Sequence, residues 1–362
     1  MPPDRRAERQ VALRVAAEAE GLDGLLVTHL PNIRYLTGFT GSAALLLIRT
    51  DATILISDFR YAAQAPSEIG AAAVVEIDQR SVWERLGRLL AARPIGILGI
   101  ESHSLTVRDA ERVSSLTRGR VIPTRELVEC LRAVKSPEEV AAIRAAAALA
   151  QEALAEVLPG VRAGRTELEI GAALEGALRR RGSEWHPFPT IVASGHRSAL
   201  PHARSSDKVV GVGELLLLDF GAQVDGYCAD LTRTVVVGAR ADDRQRTVHE
   251  LVETAQRRAI EHLRPGMPAC EGDALARDVI AARGFGEAFG HSLGHGLGLE
   301  VHEAPRLAPT SDTPLPPHAV VTVEPGIYFP GWGGIRLEDD VYLHPDGTEC
   351  LSDGRTELLE LV

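Results

Sequence analysis

The stretch ELLLLDFGAQVDGYCADLTRTVVV, residues 214–237, contains two apolar runs of strand length on either side of a short polar segment. Asp-Gly at residues 225–226 is a turn signal, so the stretch predicts a β-hairpin. With residues 223–226 taken as the turn, Asp219 lies across from Asp230. Directly opposed carboxylates repel, and burying them unpaired costs several kcal/mol. We therefore expect a positive group between them.

A second hairpin repeats this arrangement in VVTVEPGIYFPGWGGIRLEDDVYL, residues 320–343. A turn near Gly331 places Glu324 across from Glu338. No lysine lies nearby, and the single arginine, Arg336, cannot neutralise four carboxylates. Oxygen-rich sites suit hard or borderline divalent metals, so the two hairpins together predict a metal centre.

Three histidines lie in the glycine-rich stretch GHSLGHGLGLEVHEAP, residues 290–305. His295 stands between Gly294 and Gly296, which let the backbone approach a crowded site closely. One histidine added to four carboxylates is typical of a two-metal centre of the manganese, cobalt or zinc type. The stretch has neither the lysine of a P-loop nor the HExxH pattern of the zincins. We expect two divalent ions, with Mn²⁺ preferred and Co²⁺ or Zn²⁺ as alternatives.

Length and composition narrow the class of protein. The 362 residues correspond to about two domains, and 45% hydrophobic residues suffice for real cores. A net charge of -11 argues against nucleic acid as a partner, and no apolar run approaches the ~18 residues of a membrane span. The four cysteines lie far apart without CxxC spacing, which fits a reducing compartment. We expect a cytoplasmic protein with no membrane or nucleic-acid partner.

The chain predicts two domains. Two apolar runs within residues 43–58 are separated by a polar turn and predict a hairpin, and helical and strand patterns alternate around it. The alternation predicts that this first part of the chain is an α/β domain. Ser136 followed by Glu139 has the spacing of a capping box and marks the start of a helix. We place the domains at residues 1–130 and 137–362.

At these residues the chain resembles the pita-bread metallopeptidases of family M24, which include methionine aminopeptidase, aminopeptidase P and prolidase. The matching blocks are IVASGHRSALPH, LLLLDFGAQVDGYCADLTRTVVVG, HSLGHGLGLEVHEAP, VVTVEPGIY and GGIRLEDDVYL. Near the N-terminus, the segments similar to the creatinase-type domain of bacterial Xaa-Pro peptidases are LPNIRYLTGFTGSAALLL and SDFRY. The resemblance implies an α/β creatinase-like N-terminal domain followed by an α+β pita-bread catalytic domain.

The resemblance also implies a set of site residues. Five of them would be metal ligands: Asp219, Asp230, His295, Glu324 and Glu338. Catalytic roles would fall to Glu324, His302 and His202, and substrate contacts to His291, Arg336 and His202. Two cations lower the pKa of a shared water toward ~7, and Glu324 would take its proton.

The function implied is hydrolysis of the bond between an N-terminal residue and proline in a small peptide. A dipeptidase of the prolidase type is slightly favoured over an aminopeptidase P that acts on longer peptides, and the family is commonly homodimeric. Two alternatives are a non-catalytic pita-bread module that binds a protein partner and a creatinase-like amidinohydrolase. The complete ligand set counts against both.

Overall fold

The computed structural model describes residues 5–352 and 356–362. The chain divides into two compact units, Met1–Arg132 and Ala133–Val362. No described helix has both the length and the apolar character needed to cross a membrane. The elements up to the boundary are α1 (Arg6–Ala19), β1 (Gly24–Val27), α2 (Leu30–Thr37), β2 (Ala44–Arg49), β3 (Thr53–Asp58), α3 (Gln64–Ile69), β4 (Val74–Asp78), α4 (Val82–Ala92), β5 (Ile97–Glu101), α5 (Val107–Leu116), β6 (Arg120–Thr124) and α6 (Glu129–Ala133).

The described part of the first unit is built on a six-stranded mixed sheet with the order β4-β3-β2-β1-β5-β6. β2 and β3 pair antiparallel, so the hairpin predicted within residues 43–58 is confirmed. β1 pairs antiparallel with β2 and parallel with β5, and β5 pairs parallel with β6. α4 lies against β3 and buries Leu86 and Leu90 in an apolar core shared with the sheet.

The second unit is longer. Its elements are α7 (Pro137–Val157), α8 (Glu167–Arg180), β7 (Ile191–Ser194), β8 (Leu215–Phe220), β9 (Gln223–Val224), β10 (Tyr227–Cys228), β11 (Leu231–Val237), α9 (Asp243–His262), α10 (Ala269–Ala282), β12 (Gly294–Gly296), β13 (Glu303–Leu307), β14 (Val320–Val323), β15 (Gly326–Phe329), β16 (Gly333–Arg336), β17 (Asp339–His344), β18 (Gly347–Cys350) and β19 (Leu359–Leu361).

This unit has two halves with the same plan, a pair of helices against a curved sheet. α7 and α8 share an apolar core with β8 and β11, which lie in the sheet β19-β11-β8-β7. α9 and α10 share a second core with the sheet β13-β12-β14-β17-β18. α7 begins after Ser136, whose capping box with Glu139 is formed as predicted. An isolated bridge between Thr232 and Glu338 joins the two halves.

The first predicted hairpin forms with a different register. Asp225 and Gly226 have φ values of 50° and 81°, so they are the two central residues of the turn. The turn is therefore centred one residue later than the sequence analysis assumed, and Asp219 pairs with Thr232. The predicted pairing of Asp219 with Asp230 is wrong. Asp230 lies two residues from Thr232, and the alternation of side chains keeps it on the same face.

The second hairpin has the predicted register. The pairing of β14 with β17 and of β15 with β16 places Glu324 across from Glu338. Both strands are interrupted at this point. Pro325 offers no amide hydrogen to the ladder, and the amide of Glu338 donates instead to the carbonyl of Thr232 at 3.1 Å. The two glutamates therefore lie at matching breaks in the strands.

Candidate metal centre and active site

Four carboxylates converge where the two hairpins meet. Asp219 lies on β8, Asp230 just before β11, Glu324 between β14 and β15, and Glu338 between β16 and β17. Burial raises the pKa of all four carboxyl groups, and that of Glu324 rises to about 7. Repulsion from neighbouring carboxylates raises the pKa of Asp230 and Glu338 further. The protein thus concentrates negative charge where water cannot screen it.

The hydrogen bonds at this cluster do not satisfy its oxygens. Arg336 forms an ion pair with one oxygen of Asp219, and the hydroxyl of Thr232 donates to Glu338 at 2.6 Å. Among the described residues, Oδ1 of Asp219 and Oδ1 of Asp230 are buried without a hydrogen-bond partner. Buried polar atoms are almost always paired, and an uncompensated buried charge is strongly destabilising. A cation bound at this cluster would satisfy these oxygens and balance the carboxylate charge.

His295 supports the same conclusion. Its Nδ1 lies 3.0 Å from the carbonyl oxygen of Gly296, which can only accept, so Nδ1 carries the hydrogen. Burial lowers the pKa of His295 to about 4, so the ring is neutral near pH 7. Its Nε2 lone pair then faces Glu324 Oε1 at 3.4 Å and Asp230 Oδ2 at 3.8 Å. A cation between these three atoms would remove the repulsion between their lone pairs.

The donor set fits a divalent metal. One candidate ligand atom from each of Asp230, His295 and Glu338 lies within 4.8 Å of the others. Carboxylate oxygens with a neutral imidazole nitrogen suit manganese, cobalt or zinc. The second ring nitrogen of His295 is held by a backbone carbonyl, which is the usual way to orient a ligating histidine.

His291 is held away from the carboxylates by a relay of hydrogen bonds. Its Nδ1 donates to the carbonyl of Ser292 at 2.8 Å, and its Nε2 accepts from the hydroxyl of Tyr328 at 3.0 Å. The same hydroxyl accepts from Arg336 at 2.8 Å. Burial lowers the pKa of His291 to about 4 and raises that of Tyr328 to about 12. Burial therefore keeps both rings neutral near pH 7, and the relay fixes their orientation.

The remaining predicted residues open onto a cavity of about 1060 Å³. The ring of His302 meets that of His295 edge-on, with centroids 4.3 Å apart. His202 lines the same cavity and is exposed to solvent. Every predicted site residue lines this cavity: His202, Asp219, Asp230, His291, His295, His302, Glu324, Arg336 and Glu338.

The sequence matches the models of two known protein families. The model of metallopeptidase family M24 matches residues 141–345, and that of the creatinase/prolidase N-terminal domain matches residues 9–134. The chain belongs to metallopeptidase family M24. The predicted fold, a creatinase-like domain followed by a pita-bread catalytic domain, is confirmed, and so is the predicted class of metallo-exopeptidase. Membership in the family implies a divalent metal.

Several M24 relatives are similar along their whole length. The structure of an Xaa-Pro dipeptidase from Bacillus anthracis is 40% identical, with a TM-score of 0.95, and the match covers 98% of this chain and 100% of that one. An Xaa-Pro dipeptidase from Pyrococcus furiosus is 35% identical over 97% of this chain and 99% of its own. The structure of an X-Pro aminopeptidase from Thermotoga maritima is 38% identical, with a TM-score of 0.90, over 98% and 99% of the two chains.

The sequence analysis missed two residues of this M24 site. Tyr328 connects Arg336 to His291, and Thr232 bonds to Glu338. A signal for Tyr328 existed, because it follows Glu324 at an even spacing and so falls on the same face of a strand. Thr232 became visible only with the corrected hairpin register.

Proposed function

We propose that this M24 metallopeptidase is a dinuclear-metal exopeptidase that cleaves between an N-terminal residue and proline, and that dipeptides are its first substrates. The proposal rests on one observation, the buried cluster of four carboxylates and a neutral histidine with unsatisfied oxygens. Relatives named Xaa-Pro dipeptidase support the substrate class. The complete ligand set disfavours a non-catalytic binding module and an amidinohydrolase.

Five residues would hold the two ions. They are Asp219, Asp230, His295, Glu324 and Glu338, whose carboxylate oxygens and imidazole nitrogen would be the ligand atoms. When bound, the ions would supply a water of lowered pKa as the nucleophile. We propose Mn²⁺ as the native metal, with Co²⁺ or Zn²⁺ as alternatives, because the donor set suits all three.

The chain's own residues would move the protons and stabilise charge. Glu324 would take a proton from the attacking water and pass it to the departing proline nitrogen. His302 and His202 would donate hydrogen bonds to the carbonyl oxygen of the scissile bond as it becomes negative. Loss of such a donor typically costs ~2.7–4 kcal/mol of transition-state stabilisation.

Proline would be recognised by shape. A bond to proline nitrogen has no N–H, so a peptidase cannot hold it through a hydrogen bond from that atom. His291 is fixed on both ring nitrogens and lines the cavity, which makes its ring a rigid wall for an apolar substrate ring. Arg336 fixes that wall through Tyr328.

Two arginine side chains in the cavity favour a dipeptide as the substrate. Arg204 and Arg306 line the same cavity and can pair with the free carboxylate that a dipeptide carries beside its proline ring. The cavity volume of about 1060 Å³ also leaves room for a longer peptide. Together with the similarity to an X-Pro aminopeptidase, this keeps an aminopeptidase P as the second candidate.

The test is a substrate comparison on metal-stripped protein reloaded with Mn²⁺, Co²⁺ or Zn²⁺. We expect cleavage of Ala-Pro, slower cleavage of Ala-Pro-Ala and none of Ala-Ala. Preference for the tripeptide would indicate the aminopeptidase instead. If two metal equivalents bind but no Xaa-Pro peptide is cleaved with any metal, the Xaa-Pro assignment is wrong.

We further propose a cytoplasmic homodimer with an N-terminal domain at residues 1–130 and a catalytic domain at residues 137–362. The four cysteines are free, which fits a reducing compartment. The dimer rests on the family resemblance. Light scattering should give twice the chain mass of 38.8 kDa, and a monomer would contradict it.

A further inference from the structure

One buried carboxylate binds both ends of the segment that carries His202. Glu167 is the first residue of α8 and is completely buried. Its Oε1 accepts from the amide and hydroxyl of Ser194 at 2.8 and 3.0 Å. Its Oε2 accepts from the amide and hydroxyl of Ser206 at 3.1 and 2.7 Å. The residues between these serines, 195–205, form a loop that we call the His202 loop.

The same carboxylate also binds Arg197, a residue within the loop. The guanidinium Nε donates to both oxygens of Glu167, at 3.2 and 3.0 Å. Its Nη2 donates to the carbonyl of Arg204 at 2.5 Å. Arg197 therefore ties Glu167 to a backbone atom two residues beyond His202.

The opposite side of the loop is fixed to β16. Arg336 donates to the carbonyl of Pro201 at 3.2 Å, and the amide of Gly334 donates to the hydroxyl of Ser198 at 2.8 Å. His202 thus lies between the carbonyls of Pro201 and Arg204, and each of these is held by an arginine. The backbone that carries His202 is therefore fixed on both sides, which places its side chain at the cavity.

Glu167 itself is not among the residues that line the cavity, and its side-chain partners are Ser194, Ser206 and Arg197. We propose that Glu167 is a positioning residue that sets the place of His202 in the active site. The inference rests on the proposed role of His202 in the peptidase reaction. Correct placement matters because a displacement of about 1 Å can cost ~100-fold in rate.

Glu167→Gln is the sharpest test because the glutamine side chain has nearly the same size and shape as glutamate. Both carboxylate oxygens accept hydrogen bonds, one at each end of the loop, whereas glutamine offers only one acceptor. The variant must leave the backbone amide of either Ser194 or Ser206 without its acceptor. We expect kcat/KM for Ala-Pro to fall about 10- to 100-fold with unchanged metal content.

Glu169→Gln is the matched control. Glu169 lies in the same first turn of α8 but is exposed, and its carboxylate accepts from the amide of Thr166 at 2.9 Å. Glutamine satisfies a capping box equally well. We expect wild-type kcat/KM from this variant, and an equal loss in both would overturn the inference.

A double-mutant cycle with His202→Ala tests whether Glu167 acts through His202. If it does, Glu167→Gln lowers kcat/KM by less than about twofold in the His202→Ala background. If the two losses multiply, Glu167 acts elsewhere and the inference fails. Should Glu167→Gln not fold, Ser206→Ala removes one hydroxyl contact and enters the same cycle.

Hydrogen exchange provides a readout that needs no activity. Amides in residues 194–206 should exchange faster in Glu167→Gln than in Glu169→Gln or the wild type. Unchanged exchange there would overturn the inference even if the enzyme cleaves Xaa-Pro peptides. A wild-type protein that cleaves none of them would contradict the proposed function, while the exchange result would still decide whether Glu167 holds the loop.

Discussion

Each unit contains one group of three side chains whose candidate ligand atoms lie within 4.8 Å of one another, among the described residues. One consists of Asp230, His295 and Glu338, which we call the catalytic cluster after its proposed role, and the other, the N-terminal cluster, of Glu101, His103 and Glu129. The distances between candidate ligand atoms do not distinguish the two clusters. They differ in what their oxygens bond to.

In the N-terminal cluster, the carboxylates accept hydrogen bonds from amide groups of the protein. Glu101 accepts from the amides of Thr28 and His29 at 2.6 and 2.8 Å, and the side-chain amide of Asn32 donates to both Glu101 and Glu129 at 2.7 and 2.5 Å. In the catalytic cluster, Asp230 Oδ1 is buried with no such donor among the described residues. Unsatisfied buried oxygens, rather than closeness, therefore distinguish a metal centre from a structural cluster.

The largest contrast should come from the same substitution in each cluster. Glu338→Gln removes the charge of a proposed metal ligand, and since loss of groups that only support a ligand already costs 10- to 100-fold, we expect peptidase activity to fall about 1000-fold or more. Glu101→Gln should keep metal and activity. Metal analysis and an Ala-Pro assay on both variants provide the check, and an inactive, metal-free Glu101→Gln would refute the distinction.

Without metal, the four buried carboxylates of the proposed metal centre should destabilise the fold as pH rises. The folded pKa of Glu324 is raised to about 7 from 4.5, so its contribution to stability is complete below 4.5 and is lost as pH rises through 7. For this group the loss is on the order of 3 kcal/mol. Urea unfolding in chelator at about pH 5 and about pH 8 measures it. Glu324→Gln should remove much of the difference, and an unchanged difference would contradict the cause.

Metal binding should stabilise the catalytic unit by an amount that grows with the logarithm of the free metal concentration above its Kd. A ligand at 100 times its Kd raises the free energy of unfolding by ~2.7 kcal/mol. We expect Mn²⁺ to raise the Tm of the stripped wild-type protein and to raise that of Glu101→Gln equally. The shift should vanish in Asp230→Asn. A shift that persists in Asp230→Asn would place the stabilising ion elsewhere.

The smallest effect is expected at His103. Its side chain is 39% exposed and pairs with Glu129 at 3.2 Å, and exposed pairs contribute about 0–1 kcal/mol. His103→Ala should leave metal stoichiometry and kcat/KM unchanged, whereas His295→Ala should lose metal. Loss of one metal equivalent from His103→Ala would show that the N-terminal cluster binds an ion.

The two hairpins show what sequence could predict. Alternation and turn signals were sufficient to bring Asp219, Asp230, Glu324 and Glu338 together, because each lies on the inward face of its hairpin. The register of the first hairpin was wrong because Val224 and Asp225, rather than Asp225 and Gly226, were taken as the central turn residues. That error displaced the pairing by two residues, which preserves the face, so the predicted cluster still formed.

The supporting residues could not be predicted from local pattern. Glu167 opens an ordinary capped helix, and nothing in its neighbourhood indicates that it accepts from Ser206, 39 residues away. Tyr328 followed the strand alternation, but its bond to Arg336 depends on the pairing of β15 with β16. Such contacts arise from tertiary packing.

The most direct test is anomalous scattering from crystals of the protein soaked in Mn²⁺. We expect two manganese peaks, both among Asp219, Asp230, His295, Glu324 and Glu338, and none beside Glu101. A single peak, or a peak between Glu101 and Glu129 with none at Asp230, would contradict this expectation.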